Sequence, residues 1–196
     1  MLSVIIATGE AEQPVVATLA ALVPGATAGL VSEVLLVDRT GSEAIERVAD
    51  FAGCGYLAID DGTRAAALAA GARQARSPWL MFLHPGAILD QGWIDETSQF
   101  MKGVAISGNT KAAIFRYARS PYAPAGLREG VKSVARMLTG PSADQGLLIT
   151  RAHYDTLGGY SPTARRSEKK LLSHLGRSGR ALLRTRIFVP ATADSN

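Results

Sequence analysis

Apolar runs of strand length alternate with segments of helical period through the first half of the chain. The runs are residues 2–7, 34–37, 56–59 and 79–83, and the helical segments are 14–22, 42–51 and 63–76. Strands this continuously apolar are covered on both faces, and the helices between them act as right-handed crossovers. The pattern predicts an α/β fold: a mostly parallel, doubly wound sheet with helices on both faces. Beyond Gly86 the regularity loosens. A helix is expected over 90–101 and a strand over 112–117, and a Pro- and Gly-bearing stretch (120–126) leads into an amphipathic helix over 127–138. A strand at 147–150, a helix at 168–176 and a strand at 181–189 complete the reading. Neither an internal repeat nor a low-complexity tract interrupts it, so the second half is expected to pack on the first as one domain.

In a sheet of this kind ligands bind beyond the C-terminal ends of the strands. The segments just past those ends are 8–10, 38–41, 60–64 and 84–86, and they form the default site. Asp38 closes the strand Val34-Leu35-Leu36-Val37, a placement that suits an acceptor for ribose hydroxyls or base N–H groups. It equally suits a helix N-cap or turn Asp, and both readings stay open. Arg64 stands at the start of an Ala-rich helix, where helix N–H groups favour a phosphate; a solvated Arg is the plain alternative. His84 follows five apolar residues, so it either faces the cleft as a ligand or base, or hydrogen-bonds under the loop. Asp144-Gln145-Gly146 precedes the strand at 147–149 and offers a carboxylate and an amide to hydroxyl groups, or simply makes a turn. Glu168 sits among Arg165, Arg166, Lys169 and Lys170, which favour its ionised form; such clusters also occur in plain solvent.

Composition narrows the setting. The chain has 196 residues, 47% hydrophobic and 19% charged, which excludes a disordered chain and suits one domain with a substantial core. Cys54 is the only cysteine, so no intrachain disulfide or Cys-rich metal site can form, and a reducing, cytoplasmic location is the simplest. Between Gly53 and Gly55 it reads as a small buried hydrophobe rather than a nucleophile. Residues 1–8 lack a basic n-region and read as a first strand, not a signal peptide. No uncharged apolar run approaches the roughly 20 residues of a membrane span, so any membrane contact is expected to be peripheral.

The net charge of +4 hides an asymmetry. Residues 1–97 carry five basic against twelve acidic side chains, and residues 98–196 carry sixteen against five. A basic second half can concentrate an anionic substrate or a membrane-surface acceptor, or present a solvated face. Nucleic acid is not expected, since the usual binding signatures and interleaved aromatics are absent.

In their order these pieces resemble the family 2 glycosyltransferases, and specifically a small branch associated with radical-SAM and selenodomain proteins. The resemblance spans nearly the whole chain. It rests on Ser3-Val4-Ile5-Ile6-Ala7-Thr8, Val37-Asp38, the segment 62–71, the run 79–84, Gly92-Trp93, Asp144-Gln145-Gly146 and Leu157-Gly158-Gly159-Tyr160. It implies the nucleotide-diphospho-sugar transferase fold, with residues 1–97 as the nucleotide-binding half and 98–196 as the acceptor half. Thr8, Glu10 and Asp38 would then lie near the nucleotide, Arg64 near its phosphates, and the turn at His84 beneath the diphosphate. Asp144 and Glu168 would assist the acceptor hydroxyl, and Gln145 would bind the acceptor.

A divalent metal, Mg or Mn, is typical of such enzymes and is held by an Asp in a His-Ala-Asp turn. Here the turn reads His84-Pro85-Gly86, so no metal ligand is expected. The family's Glu-Asp pair is represented by Glu168 followed by Lys169, and its helix Asn by Ala69. Two functions follow. One is sugar transfer from a nucleotide-sugar donor, with Arg64, His84 and the basic half replacing the metal's charge. The other is a catalytically lapsed binding or scaffold protein with the same fold. A sugar-activating nucleotidyltransferase would show a Gly-rich loop with a Lys after the first strand, and Thr8-Gly9-Glu10-Ala11 supplies neither.

Overall fold

A computed structural model of the chain describes residues 1–59, 62–118, 145–163 and 167–189. Leu2–Thr8 (β1) is buried at every position, as an unbroken apolar run requires. Glu12–Thr27 (α1), Val31–Asp38 (β2), Glu43–Ala52 (α2), Gly55–Ala58 (β3), Arg64–Gln74 (α3) and Trp79–Leu83 (β4) follow in the anticipated alternation. Then come Ile88–Leu89 (β5), Trp93–Ser107 (α4), Ala112–Ala118 (β6), Leu147–Thr150 (β7), Arg151–Thr156 (α5), Ser167–Leu175 (α6) and Arg180–Phe188 (β8). Two short elements, β5 and α5, had no counterpart in the reading of the sequence. The helix expected over 127–138 lies outside the described residues.

One sheet runs through both halves in the order β3-β2-β1-β4-β7-β6-β8-β5. The pairs β1–β2, β1–β4, β2–β3 and β6–β8 are parallel, whereas β4–β7, β6–β7 and β5–β8 are antiparallel. The chain winds outward from β1 through β2 to β3 and returns on β1's other side as β4. In open α/β sheets such a reversal is the place where ligands bind, beyond the C-terminal ends of the strands.

Alternation along the strands divides the core between the two faces. Leu2, Val4 and Ile6 pack with Val15 and Leu22 of α1, Ile45 and Ala49 of α2, and Trp93 and Met101 of α4. Ile5 and Ala7 pack on the other face with Ala67, Leu68 and Ala72 of α3, Tyr154 of α5 and Leu171, Leu172 and Leu175 of α6. α3 lies close to the sheet because Gly71 has no side chain. A Cβ there would come 2.9 Å from Val37 Cγ2 and closer still to Ile5.

The β6–β8 ladder carries an irregularity. Ile114 pairs with Leu182, yet Arg116 pairs with Arg186, so β8 holds extra residues between the two rungs. Their amides are satisfied from α4: Arg184 N and Thr185 N each donate to the Glu96 carboxylate at 2.7 Å, and the Thr185 hydroxyl donates to it as well. Burial works to raise the Glu96 carboxyl, but these hydrogen bonds and the Arg184 charge outweigh it and hold the group below its ordinary range.

Candidate functional site

The C-terminal ends of β1, β2, β4, β6 and β8 and the N-terminal end of β7 lie on one edge of the sheet, as the strand directions require. Thr8 and Asp38 are register partners there, and both are buried. The Thr8 hydroxyl donates to the Val37 carbonyl at 3.3 Å. The Asp38 carboxylate organises the β2–α2 loop. Oδ1 accepts from Thr40 N at 3.1 Å and Thr40 Oγ1 at 2.9 Å, while Oδ2 accepts from Ser42 N at 2.6 Å and Tyr56 Oη at 3.2 Å. Four donors fill the lone-pair directions of an ionised carboxylate. Burial alone would raise the Asp38 carboxyl, and these donors more than offset it, so it lies below the usual range. Arg39 Nε closes the loop over β1 by donating to the Thr8 carbonyl at 3.2 Å, and Glu10 is exposed beside it.

The turn after β4 is rigid for a local reason. Pro85 fixes φ at the second position, Gly86 takes φ of 84° at the third, and Ala87 N donates back to the His84 carbonyl at 3.0 Å. This is a type II turn, in which the third position demands a residue tolerant of positive φ. Gly86 N then donates to the Pro14 carbonyl in α1 at 2.8 Å, and the Thr18 hydroxyl reaches the His84 carbonyl at 3.4 Å. His84 thus sits on a turn pinned to the first helix.

Arg64 and Glu168, 104 residues apart, meet across the other face: Arg64 Nε donates to Glu168 Oε1 at 2.7 Å. Each side chain is under a quarter exposed. The N-terminus of α3 is fixed at the same place, since the Thr63 hydroxyl accepts from Ala66 N at 3.1 Å and donates to the Pro162 carbonyl at 3.0 Å. Beneath the pair, Phe82, Tyr154 and Tyr160 form an aromatic cluster with centroids 4.9–5.7 Å apart. Tyr160 N donates to the Tyr154 hydroxyl at 2.9 Å. Burial, reinforced by the Glu168 charge, pushes the Tyr160 phenol well above its ordinary value, so it stays protonated.

Gln145 precedes β7 and donates its amide to the Phe115 carbonyl of β6 at 3.2 Å. Asp144 lies outside the described residues, as do Asp60 and Asp61. The next residue of β6, Arg116, was not singled out from the sequence, nor was its register partner Arg186. A cation breaking the apolar run Ala112-Ala113-Ile114-Phe115 near the end of a strand was the available signal.

The residues at the turn do not fit a divalent metal. Pro85 and Gly86 carry no donor side chain and the Gly86 amide is engaged, which leaves one imidazole and no carboxylate. Among the described residues no group of three or more His, Cys, Asp or Glu side chains could hold a metal ion. No helix among them is long and apolar enough to cross a membrane.

No protein-family model and no curated protein matches the chain. Solved structures do match. TarS residues 1–349 from S. aureus aligns over 96% of this chain and 60% of its own length, with a TM-score of 0.66 and 10% identity. The mannosyltransferase PcManGT from Pyrobaculum calidifontis, in complex with GDP-Man and Mn2+, aligns over 99% of this chain and 58% of that one, with a TM-score of 0.65 and 14% identity. The glucosyl-3-phosphoglycerate synthase of Mycobacterium tuberculosis, in complex with Mn2+, UDP and glucosyl-3-phosphoglycerate, aligns over 96% of this chain and 70% of that one, with a TM-score of 0.62 and 15% identity. The chain therefore has the nucleotide-diphospho-sugar transferase fold and spans about 60% of the first of these neighbours.

Proposed function

We propose that the chain is glycosyltransferase-like, binding a nucleotide-sugar donor at the C-terminal sheet edge and transferring its sugar to an acceptor hydroxyl. The observation that supports this reading is the Arg64–Glu168 contact at 2.7 Å, which joins residues from opposite halves of the sequence that this reading takes as the phosphate-binding cation and the base. The β2–α2 loop ordered by Asp38, with Thr8 and Glu10 beside it, receives the nucleotide. Arg64 and the His84 turn face the diphosphate. Glu168 takes the acceptor proton as the acceptor oxygen attacks the anomeric carbon, and the bond from that carbon to the diphosphate oxygen breaks. Arg64 and the surrounding positive field take up the charge that develops on the leaving diphosphate. Gln145 and Asp144 belong to the acceptor side. No metal enters this scheme, because the turn does not fit one.

A second reading, a binding or scaffold protein with lapsed chemistry, is favoured by the Pro85–Gly86 turn. Calorimetric titration with UDP- and GDP-sugars, with and without manganese, separates the readings when combined with an assay of donor hydrolysis and transfer. Donor binding weakened about tenfold by Arg64→Ala, with turnover lost in Glu168→Gln, is the outcome expected of a transferase. Binding without turnover selects the scaffold, detected hydrolysis or transfer removes it, and no binding under any condition removes the transferase.

A further inference from the structure

Beyond the residues assigned above, the sheet edge carries a second cationic feature. Arg116 and Arg186 are register partners on adjacent parallel strands, so their side chains leave the same face of the sheet about 5 Å apart at the backbone. Like charges placed directly opposite one another destabilise a sheet. Arg186 is neutralised: its guanidinium contacts Asp90 Oδ2 at 2.7 and 2.9 Å, and it lies 5.7 Å from the centroid of the Phe188 ring. Arg116 is exposed and has no ion-pair partner among the described residues. Among the described residues, one positive charge therefore stands without an ion-pair partner beside a second guanidinium held in place.

The position has a direction. Arg116 lies two residues beyond Ile114, whose side chain packs on the face covered by α3, α5 and α6, so Arg116 projects toward the face that bears Arg64 and Glu168. The preceding carbonyl, of Phe115, is the acceptor for the Gln145 amide. β6 is separated from β4 only by β7, two strand spacings or about 10 Å. That reach suits a group on the acceptor rather than the donor diphosphate.

We infer that Arg116, buttressed by Arg186, forms a subsite for a phosphate-like anionic group on the acceptor. This deepens the transferase reading and rests on it for the word acceptor; the anion site itself is a separate observable. Inorganic phosphate is the probe, titrated into the full chain while the arginine Nε–H resonances are followed by NMR. Saturable shifts at Arg116 and Arg186 are expected, with affinity falling about tenfold in Arg116→Gln. Lys111→Gln removes the same unit of charge at the opposite end of β6 and should leave affinity nearly unchanged.

Equal losses in the two variants would show a nonspecific basic field and overturn the proposal, as would shifts confined to Arg64. Phosphate binding that is absent while vesicles of phosphatidylcholine and phosphatidylglycerol bind in an Arg116-dependent manner overturns it in favour of a lipid surface. UDP and GDP titrations run in parallel keep the two ideas apart. Loss of nucleotide binding with an intact phosphate response at Arg116 sinks the transferase reading alone, and the reverse result sinks the subsite alone.

Discussion

At the scale of single residues, the site is governed by which polar groups are already engaged. Asp38 spends its carboxylate on the β2–α2 loop, so Asp38→Asn should destabilise the fold by about 2–4 kcal/mol, leaving buried donors without an acceptor. Because its folded-state pKa is depressed, its contribution is full above the unfolded value near 3.9 and is lost as pH falls through the lower folded value. Acid unfolding of the wild type below about pH 4 should therefore be steeper than that of the variant, a difference read by circular dichroism against pH. Arg64 is engaged by Glu168, so an incoming diphosphate competes with a carboxylate. Glu168→Gln should bind UDP or GDP several-fold more tightly than wild type even as it loses turnover, and weaker binding would contradict the competition. Thr97 presents the opposite case: its buried hydroxyl has no partner among the described residues, and Thr97→Val should raise stability by roughly 0.5–1.5 kcal/mol in urea titrations.

Among the elements, the alternation in residues 2–83 was legible because period-2 and period-3.6 apolar patterns separate cleanly when strands are buried on both faces. Helix ends were less so. α1 runs to Thr27 through Pro24, past the expected stop near 22, since the surrounding packing overrides a weak local signal. β5 has two residues and α5 has six, too short to show any period. The Arg64–Glu168 contact was foreshadowed only as two separate candidates, because nothing local records a pairing across 104 residues. The cross-strand partnership of Arg116 and Arg186 escaped for the same reason: it depends on a register shift supported by α4. Glu96→Gln should cost about 1–3 kcal/mol by weakening that support, and amide exchange at Arg184 and Thr185 should quicken before that of β1. Gly71→Ala forces α3 away from Ile5 and Val37 and should cost a further 1–3 kcal/mol or so; an unchanged denaturation midpoint would refute the tight approach.

At the scale of the whole molecule, the eight-stranded sheet of the described residues joins the acidic and basic halves through β4 and β7. Unfolding should accordingly be one cooperative event. Urea transitions followed by the fluorescence of Trp79 and Trp93, both in the first half, should superimpose on those followed by far-UV circular dichroism, and two separate midpoints would sink this expectation. The same seam has a consequence for the chain as it leaves the ribosome. Trp79-Leu80-Met81-Phe82-Leu83 gains its second neighbour only when β7 has been made, with Thr150 67 residues after Leu83. At translation rates of roughly 5–20 residues per second that strand shows a bare, greasy margin for roughly 3–13 s. Products truncated before residue 147 should consequently seek chaperones or precipitate.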